Sequence, residues 1–135
     1  MGRADAQALD AASYLSLVTF RRDGRAVATP VWHAEHAGRL YVFTAGGSGK
    51  VKRLRRDPRV RLAACDVRGR VHGSWWDGRA RLLADPARER AGYAALSRKY
   101  GWQLWLVNLG SRLTGRIAER AMLEIEVDGA ATVSE

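Results

Sequence analysis

Cysteine, proline and lysine are all scarce: one Cys (Cys65), three Pro and only Lys50, Lys52 and Lys99 in 135 residues. A single cysteine excludes an internal disulfide and fits a reducing compartment. No apolar run approaches the ~20 residues needed to cross a bilayer. The opening residues, Met1-Gly2-Arg3-Ala4-Asp5, lack the apolar stretch of a secretory signal, and Ala6 breaks the N-myristoylation pattern. The expectation is a cytoplasmic protein with no membrane span. His33, His36 and His72 are the only histidines. With Cys65 they form no spacing suited to a metal, so none is expected. No Gly-x-Ser-x-Gly elbow or nucleophile–base pair is visible, and no catalytic residue is assigned.

What the chain does have is arginine. The formal net charge is +9, nearly all of it from arginines spread from Arg3 to Arg120. Such a balance suits nucleic acid, an acidic membrane surface or an anionic small ligand. An apolar fraction of 47% and a charged fraction of 27% are ordinary for a globular protein. The length suits one domain, residues 1–135.

Periodicity predicts mostly strands. Residues 14–20 are β-branched and aromatic, and Asp23-Gly24 is a hairpin signal leading into a returning strand over 26–33. Pro30 inside that strand implies an edge or a bulge. Further strands are expected over 40–43, 60–65, 71–83 and 122–127. Asp85-Pro86 caps a helix that runs to Tyr100 and stops at Gly101. Trp102, Trp105, Leu106, Leu109 and Leu113 repeat at helical spacing and predict a second helix. Six strands with turns at regular spacing point to an antiparallel barrel with helices on one side.

The densest basic block lies in the middle. Thr44 ends a strand, Gly46 and Gly47 turn the chain, and Ser48 stands where a helix N-cap stands. Lys50 and Arg53 follow, three apart, with Val51 and Leu54 on the inner face. Asp57-Pro58 ends the helix. Free N–H groups and the positive helix end favour an anion there. Two readings stay open from the local pattern: a phosphate cradle, and a solvated basic helix with an ordinary cap. It is not a P-loop, since Gly46 precedes Gly49 by only three residues and Val51 follows the lysine. Trp75-Trp76 puts two tryptophans on opposite faces of one strand, so one needs a partner, a subunit contact or a planar ligand.

These residues resemble a known family. Thr19-Phe20-Arg21-Arg22-Asp23-Gly24, Thr29-Pro30-Val31-Trp32, Leu40-Tyr41-Val42-Phe43-Thr44, the run from Ser48 to Val60, and Gly78-Arg79-Ala80-Arg81 are similar to the flavin/deazaflavin oxidoreductases of the pyridoxamine-5'-phosphate-oxidase-like superfamily, in the branch that uses coenzyme F-420. The resemblance implies a mainly β fold with flanking helices, a six-stranded antiparallel split β-barrel of Greek-key type. It also implies a homodimer with cofactor sites at the interface. The backbone of Thr29, Pro30, Val31 and Trp32 would run along the ring system. Thr44, Ser48, Gly49 and Lys50 would hold the phosphate, with Arg53 beside them. By strand alternation with Gly73, Trp75 would face the ring across the dimer. The implied activity is hydride transfer from the reduced deazaflavin to a conjugated small-molecule acceptor. FMN in the same cradle, a cofactor-carrying protein without turnover, and a nucleic-acid binder are the alternatives. The last is disfavoured because the aromatics sit apart from the basic run.

Overall fold

A computed structural model describes residues 9–45, 49–103 and 120–130. Seven strands and two helices follow one another along the described residues. Strands β1 (Tyr14–Phe20), β2 (Ala26–Val31), β3 (Ala34–His36) and β4 (Arg39–Ala45) come first. Helix α1 (Gly49–Arg56), strands β5 (Arg59–Cys65) and β6 (Trp76–Leu82), helix α2 (Pro86–Tyr100) and strand β7 (Arg120–Ala130) follow. All pairings are antiparallel, in one sheet of order β2-β1-β5-β6-β7-β4-β3.

The two edge strands of this sheet are consecutive in the chain. Only Trp32 and His33 separate β2 from β3, so the sheet must curl until its edges nearly meet. The result is a split β-barrel. Seven strands stand where six were expected, because the strand predicted over 26–33 stops at Val31. Its end is taken by Tyr100. The tyrosine hydroxyl accepts from the His33 N–H at 3.0 Å and donates to the Ser13 carbonyl at 2.9 Å, with the His33 carbonyl also at 3.0 Å. With both His33 backbone groups engaged by a side chain, no ladder continues through it. Chain direction reverses again at Ala37 and Gly38, both at positive φ.

Side-chain alternation sets the two sides of the sheet. Leu15, Leu17, Leu40, Val42, Leu62 and Ile125 are fully buried inside the barrel, each leucine contributing about 1.5–3 kcal/mol by burial. Helix α1 lies against β1 and β6, with Val51 and Leu54 buried. Helix α2 covers the outer side of β3 and β4, where Tyr41, Leu96, Tyr100 and Met122 form a second cluster. Its first turn is as read from sequence: the Asp85 side chain accepts from the Ala87 N–H at 3.0 Å, and Gly101 ends it at φ 56. Glu124, 1% exposed, ties β7 to β4, β6 and α2 by accepting from Tyr41 Oη at 2.8 Å, Arg81 Nη2 at 2.6 Å and Arg88 Nη1 at 3.2 Å. Burial pushes its pKa up, but the bonds from Arg81 and Tyr41 outweigh this and hold it below the usual value.

The strand expected over 71–83 begins only at Trp76. Residues 71–75 are exposed and attach through a single bridge, Cys65 to Val71, and the His72 N–H bond to Ala64. The Asp66 carboxylate explains the delay: it accepts from the Arg68 and Arg70 N–H groups, both at 2.9 Å, and bends the chain away from a ladder. The strand over 122–127 is longer than expected, running Arg120–Ala130. The second helix expected from Trp102 falls mostly on residues 104–119, outside the described residues.

His33 is wholly buried. Its Nε2–H donates to the Leu9 carbonyl at 2.8 Å, and the Lys99 ammonium, paired with Asp10 at 3.2 Å, lies 3.4 Å from the same nitrogen. Burial, and then the Lys99 charge, lower the imidazole pKa from 6.5 to about 4. The folded state therefore holds the neutral ring, and its stabilising effect is complete above 6.5 and lost as pH falls toward 4. Denaturant unfolding should show a loss of about 3 kcal/mol from this group over that window. An NMR titration placing the folded imidazole near 6.5 would contradict it.

Candidate functional site

The site begins where β4 runs into α1. Thr44, half-buried, pairs with Ala121 at the start of β7. Ser48, the expected N-cap, lies outside the described residues. Gly49 opens α1, and a Cβ there would sit 2.7 Å from Arg53 Nη1. The guanidinium thus folds back over the first turn of the helix, in space that any larger residue would contest. Arg53 Nε donates to Thr19 Oγ1 at 2.6 Å. Lys50 is half-buried beside it. Burial, and then the Arg53 charge, push the Lys50 ammonium below the ordinary lysine value. No carboxylate pairs with Lys50 among the described residues. Two cations held close together without a counter-charge at a helix start form an arrangement that an anion would stabilise.

Strand β2 approaches the same end of the barrel. Thr19 pairs with Val27, and Leu17 with Thr29, on the inner face. Thr29 therefore stands one inward step along from the Thr19–Arg53 bond. Its hydroxyl is buried with no partner among the described residues. A buried polar atom without a partner costs about 1–3 kcal/mol, so one that persists calls for a ligand or another reason. Pro30 points to the opposite, outer face and is exposed; Val31 points in and joins the core. As an edge strand, β2 has an unpaired side, which suits a backbone lying along a flat ligand.

Two tryptophans are expected at the site, Trp32 through its backbone and Trp75 from a second copy. The Trp32 ring stacks on Tyr100 at 4.5 Å and 9°, so its face is spent on α2; only its backbone continues the line of β2. Trp75 precedes β6 and is 36% exposed. Trp76 next to it pairs with Ala130, whereas Thr44 pairs with Ala121. Those registers are nine residues apart on β7, about 30 Å of extended strand. Within one chain, Trp75 does not meet the cradle.

Sequence reasoning passed over three groups. Thr19 belongs to a strand and to the family pattern, but nothing in the sequence marks it as the partner of Arg53. Tyr100 was read as a helix end. Arg21 and Arg22 belong to the family pattern and Arg22 and Arg25 to the turn, yet three arginines around one Asp-Gly turn are a visible signal in their own right. They line an open surface groove shared with Gly49, Lys52, Arg53 and Arg56.

The split barrel defines a class of proteins whose members are generally oxidoreductases. The chain belongs to the pyridoxamine 5'-phosphate oxidase family, whose pattern matches residues 2–134. No curated protein matches it. Solved structures share the fold. A conserved hypothetical protein from Mycobacterium tuberculosis is similar at 22% identity and TM-score 0.68, over 95% of this chain and 81% of that one. An FAD-binding protein from Mesorhizobium loti is similar at 20% and 0.62, over 93% and 86%. An F420 reductase is similar at 16% and 0.60, over 93% and 94%. No described helix is long and apolar enough to cross a membrane.

Thr29 gives a direct check on the ligand-free protein. Thr29→Val keeps the shape and removes the unpartnered hydroxyl. In denaturant unfolding without ligand, it should be neutral or stabilising by up to about 1 kcal/mol. A loss of 1 kcal/mol or more would mean that the hydroxyl is bonded in the fold.

Proposed function

We propose that this protein is a coenzyme F-420-dependent reductase that acts on a conjugated small-molecule acceptor. The observation that carries the reading is the half-buried, unpaired Lys50 with Arg53 at the start of α1, one strand step from the unpartnered Thr29 hydroxyl. The residues fit a cofactor with an anionic tail and a planar ring. Lys50 and Arg53, with Thr44, Ser48 and Gly49, hold the phosphate. The open edge of β2, from Thr29 through Trp32, offers backbone groups along the ring, and the Thr29 hydroxyl supplies one polar contact. When bound, the reduced deazaflavin supplies a hydride from C5. The protein's share is positioning and the exclusion of water.

The active unit in this reading is a homodimer. Ala26, Ala28 and Pro30 of β2 are exposed on the outer face, whereas Val18 of β1 and Ala63 of β5 on that face are already buried within the chain. Small apolar side chains make a flat face suited to a second copy. A second copy also provides the way for Trp75 to reach a cradle that its own chain keeps distant. The similar F420 reductase supports the choice of cofactor; FMN, whose terminal phosphate suits the same cations, is the competing ligand.

Lys50→Ala should weaken F-420 binding by several-fold or more through the lost charge-assisted contact, read by equilibrium titration, while leaving thermal unfolding of the free protein nearly unchanged. Equal affinity in the variant and the parent would remove the phosphate from this helix start.

A further inference from the structure

The fold holds the stretch from Thr29 to Trp32 in two different ways. Thr29, Pro30 and Val31 are in register with Leu17, Ser16 and Leu15 of β1. Trp32 lies one residue past that ladder, and β3 begins only at Ala34. No strand pairing reaches Trp32 among the described residues, so its place is set from outside the sheet. Tyr100, 7% exposed at the end of α2, sets it twice over. The tyrosine ring lies parallel to the Trp32 indole, with centroids 4.5 Å apart and 9° between the planes. The hydroxyl accepts from the His33 N–H at 3.0 Å, and that N–H belongs to the peptide joining Trp32 to His33.

The same hydroxyl reaches β1. It donates to the carbonyl of Ser13, the residue before that strand, at 2.9 Å. Burial pushes its pKa up to about 12, so it keeps the proton it donates. The end of α2 behind it is closed, because the Gly101 N–H donates to the Ser97 carbonyl at 2.8 Å. Leu96, one turn earlier, is buried in the cluster that includes Tyr100.

We infer that Tyr100 is a positioning residue for the ring end of the ligand, holding the Trp32 backbone, the one step of the ligand strand that β1 does not hold, at a fixed height and tilt. The inference rests on the cofactor reading above and deepens it. It assigns the two ends of the site different tasks. Lys50 and Arg53 hold charge, so they set how tightly the ligand binds. Trp32 stands three strand steps, about 10 Å, beyond Thr29, and there the fold offers a backbone line and no cation. Tyr100 therefore sets how the ring lies. Orientation of this kind acts on rate more than on affinity, since a displacement of about 1 Å at a reacting atom can cost about a hundredfold.

The test is titration of the full chain with oxidised F-420, and in parallel with FMN, read by the circular dichroism induced in the bound ring. Stopped-flow reoxidation of bound, reduced F-420 by menadione, a conjugated quinone, gives the rate. Both are repeated with Tyr100→Phe and Leu96→Ala. Tyr100→Phe removes the hydroxyl and keeps the stack. Leu96→Ala loosens the packing of α2 and leaves both holds on Trp32 in place. In Tyr100→Phe the dissociation constant should stay within about threefold, because the charge-assisted contacts remain. The induced dichroism at saturation should fall by about half or more, and the reoxidation rate by about tenfold or more. Leu96→Ala should lower Tm at least as far and keep both ring readouts at parental values. Where Tyr100→Phe does not fold, Trp32→Leu removes the stack, keeps the hydroxyl bonds and should shift both ring readouts in the same direction. Parental ring readouts in the Tyr100 or Trp32 variant, or equal losses in Leu96→Ala, would overturn the inference and leave the cofactor reading standing. Binding of FMN alone would overturn the F-420 reading, and the FMN dichroism of Tyr100→Phe would then decide the inference. A parent that binds neither ligand would overturn both.

Discussion

A single tyrosine hydroxyl holds the split of the barrel. Tyr100, at the end of α2, engages both backbone groups of His33, the residue between the two edge strands. Its ring carries Trp32 in a parallel stack. Because that link is fixed, β2 and β3 can be consecutive in the chain and still form opposite edges of one sheet. Because β2 is an edge, one side of its backbone is open to a ligand. The clamp also buries His33 beside Lys99 and Asp10 and ties Leu9 to the same corner. Edge closure, helix placement and the line of the ligand strand therefore share one anchor.

Charge is distributed unevenly around that frame. On the outer sheet face, arginines meet carboxylates across strands, as Arg61 meets Asp77 at 3.2 Å. Such exposed pairs add little stability, but they leave few free cations there. Glu124 does the same below the surface for Arg81 and Arg88. Around α1 the pattern is reversed. Asp57 is used by Arg59 and Asp23 by Arg25, and the remaining cations face each other. The excess of positive charge is thus concentrated around α1.

Most of the strands were legible because a half-buried strand writes alternation into its own residues, as in β1 and β5. The Asp85-Pro86 start and Gly101 end of α2 were legible for a similar local reason: caps are read from single residues. What could not be read came from remote partners. His33 reads as one more strand residue until Tyr100, 67 positions away, is known to capture its backbone. Residues 71–75 look like strand by composition, and only the Asp66 carboxylate turning back on Arg68 and Arg70 explains why they are not. In the site, Lys50 and Arg53 follow from helical spacing, but the Arg53–Thr19 bond and the convergence of Arg21, Arg22 and Arg25 on α1 depend on how the helix packs. Trp32 carried the family pattern, yet its ring faces α2, a choice made by tertiary stacking.

Tryptophan-fluorescence titration with F-420 and, in parallel, with FMN bears most directly on the proposed chemistry. Saturable quenching in the micromolar range by the deazaflavin, with much weaker quenching by FMN, is the predicted result. The reverse preference would contradict F-420 dependence and move the protein to flavin chemistry on the same fold. No response to either ligand would contradict the cofactor site itself and leave only the barrel standing.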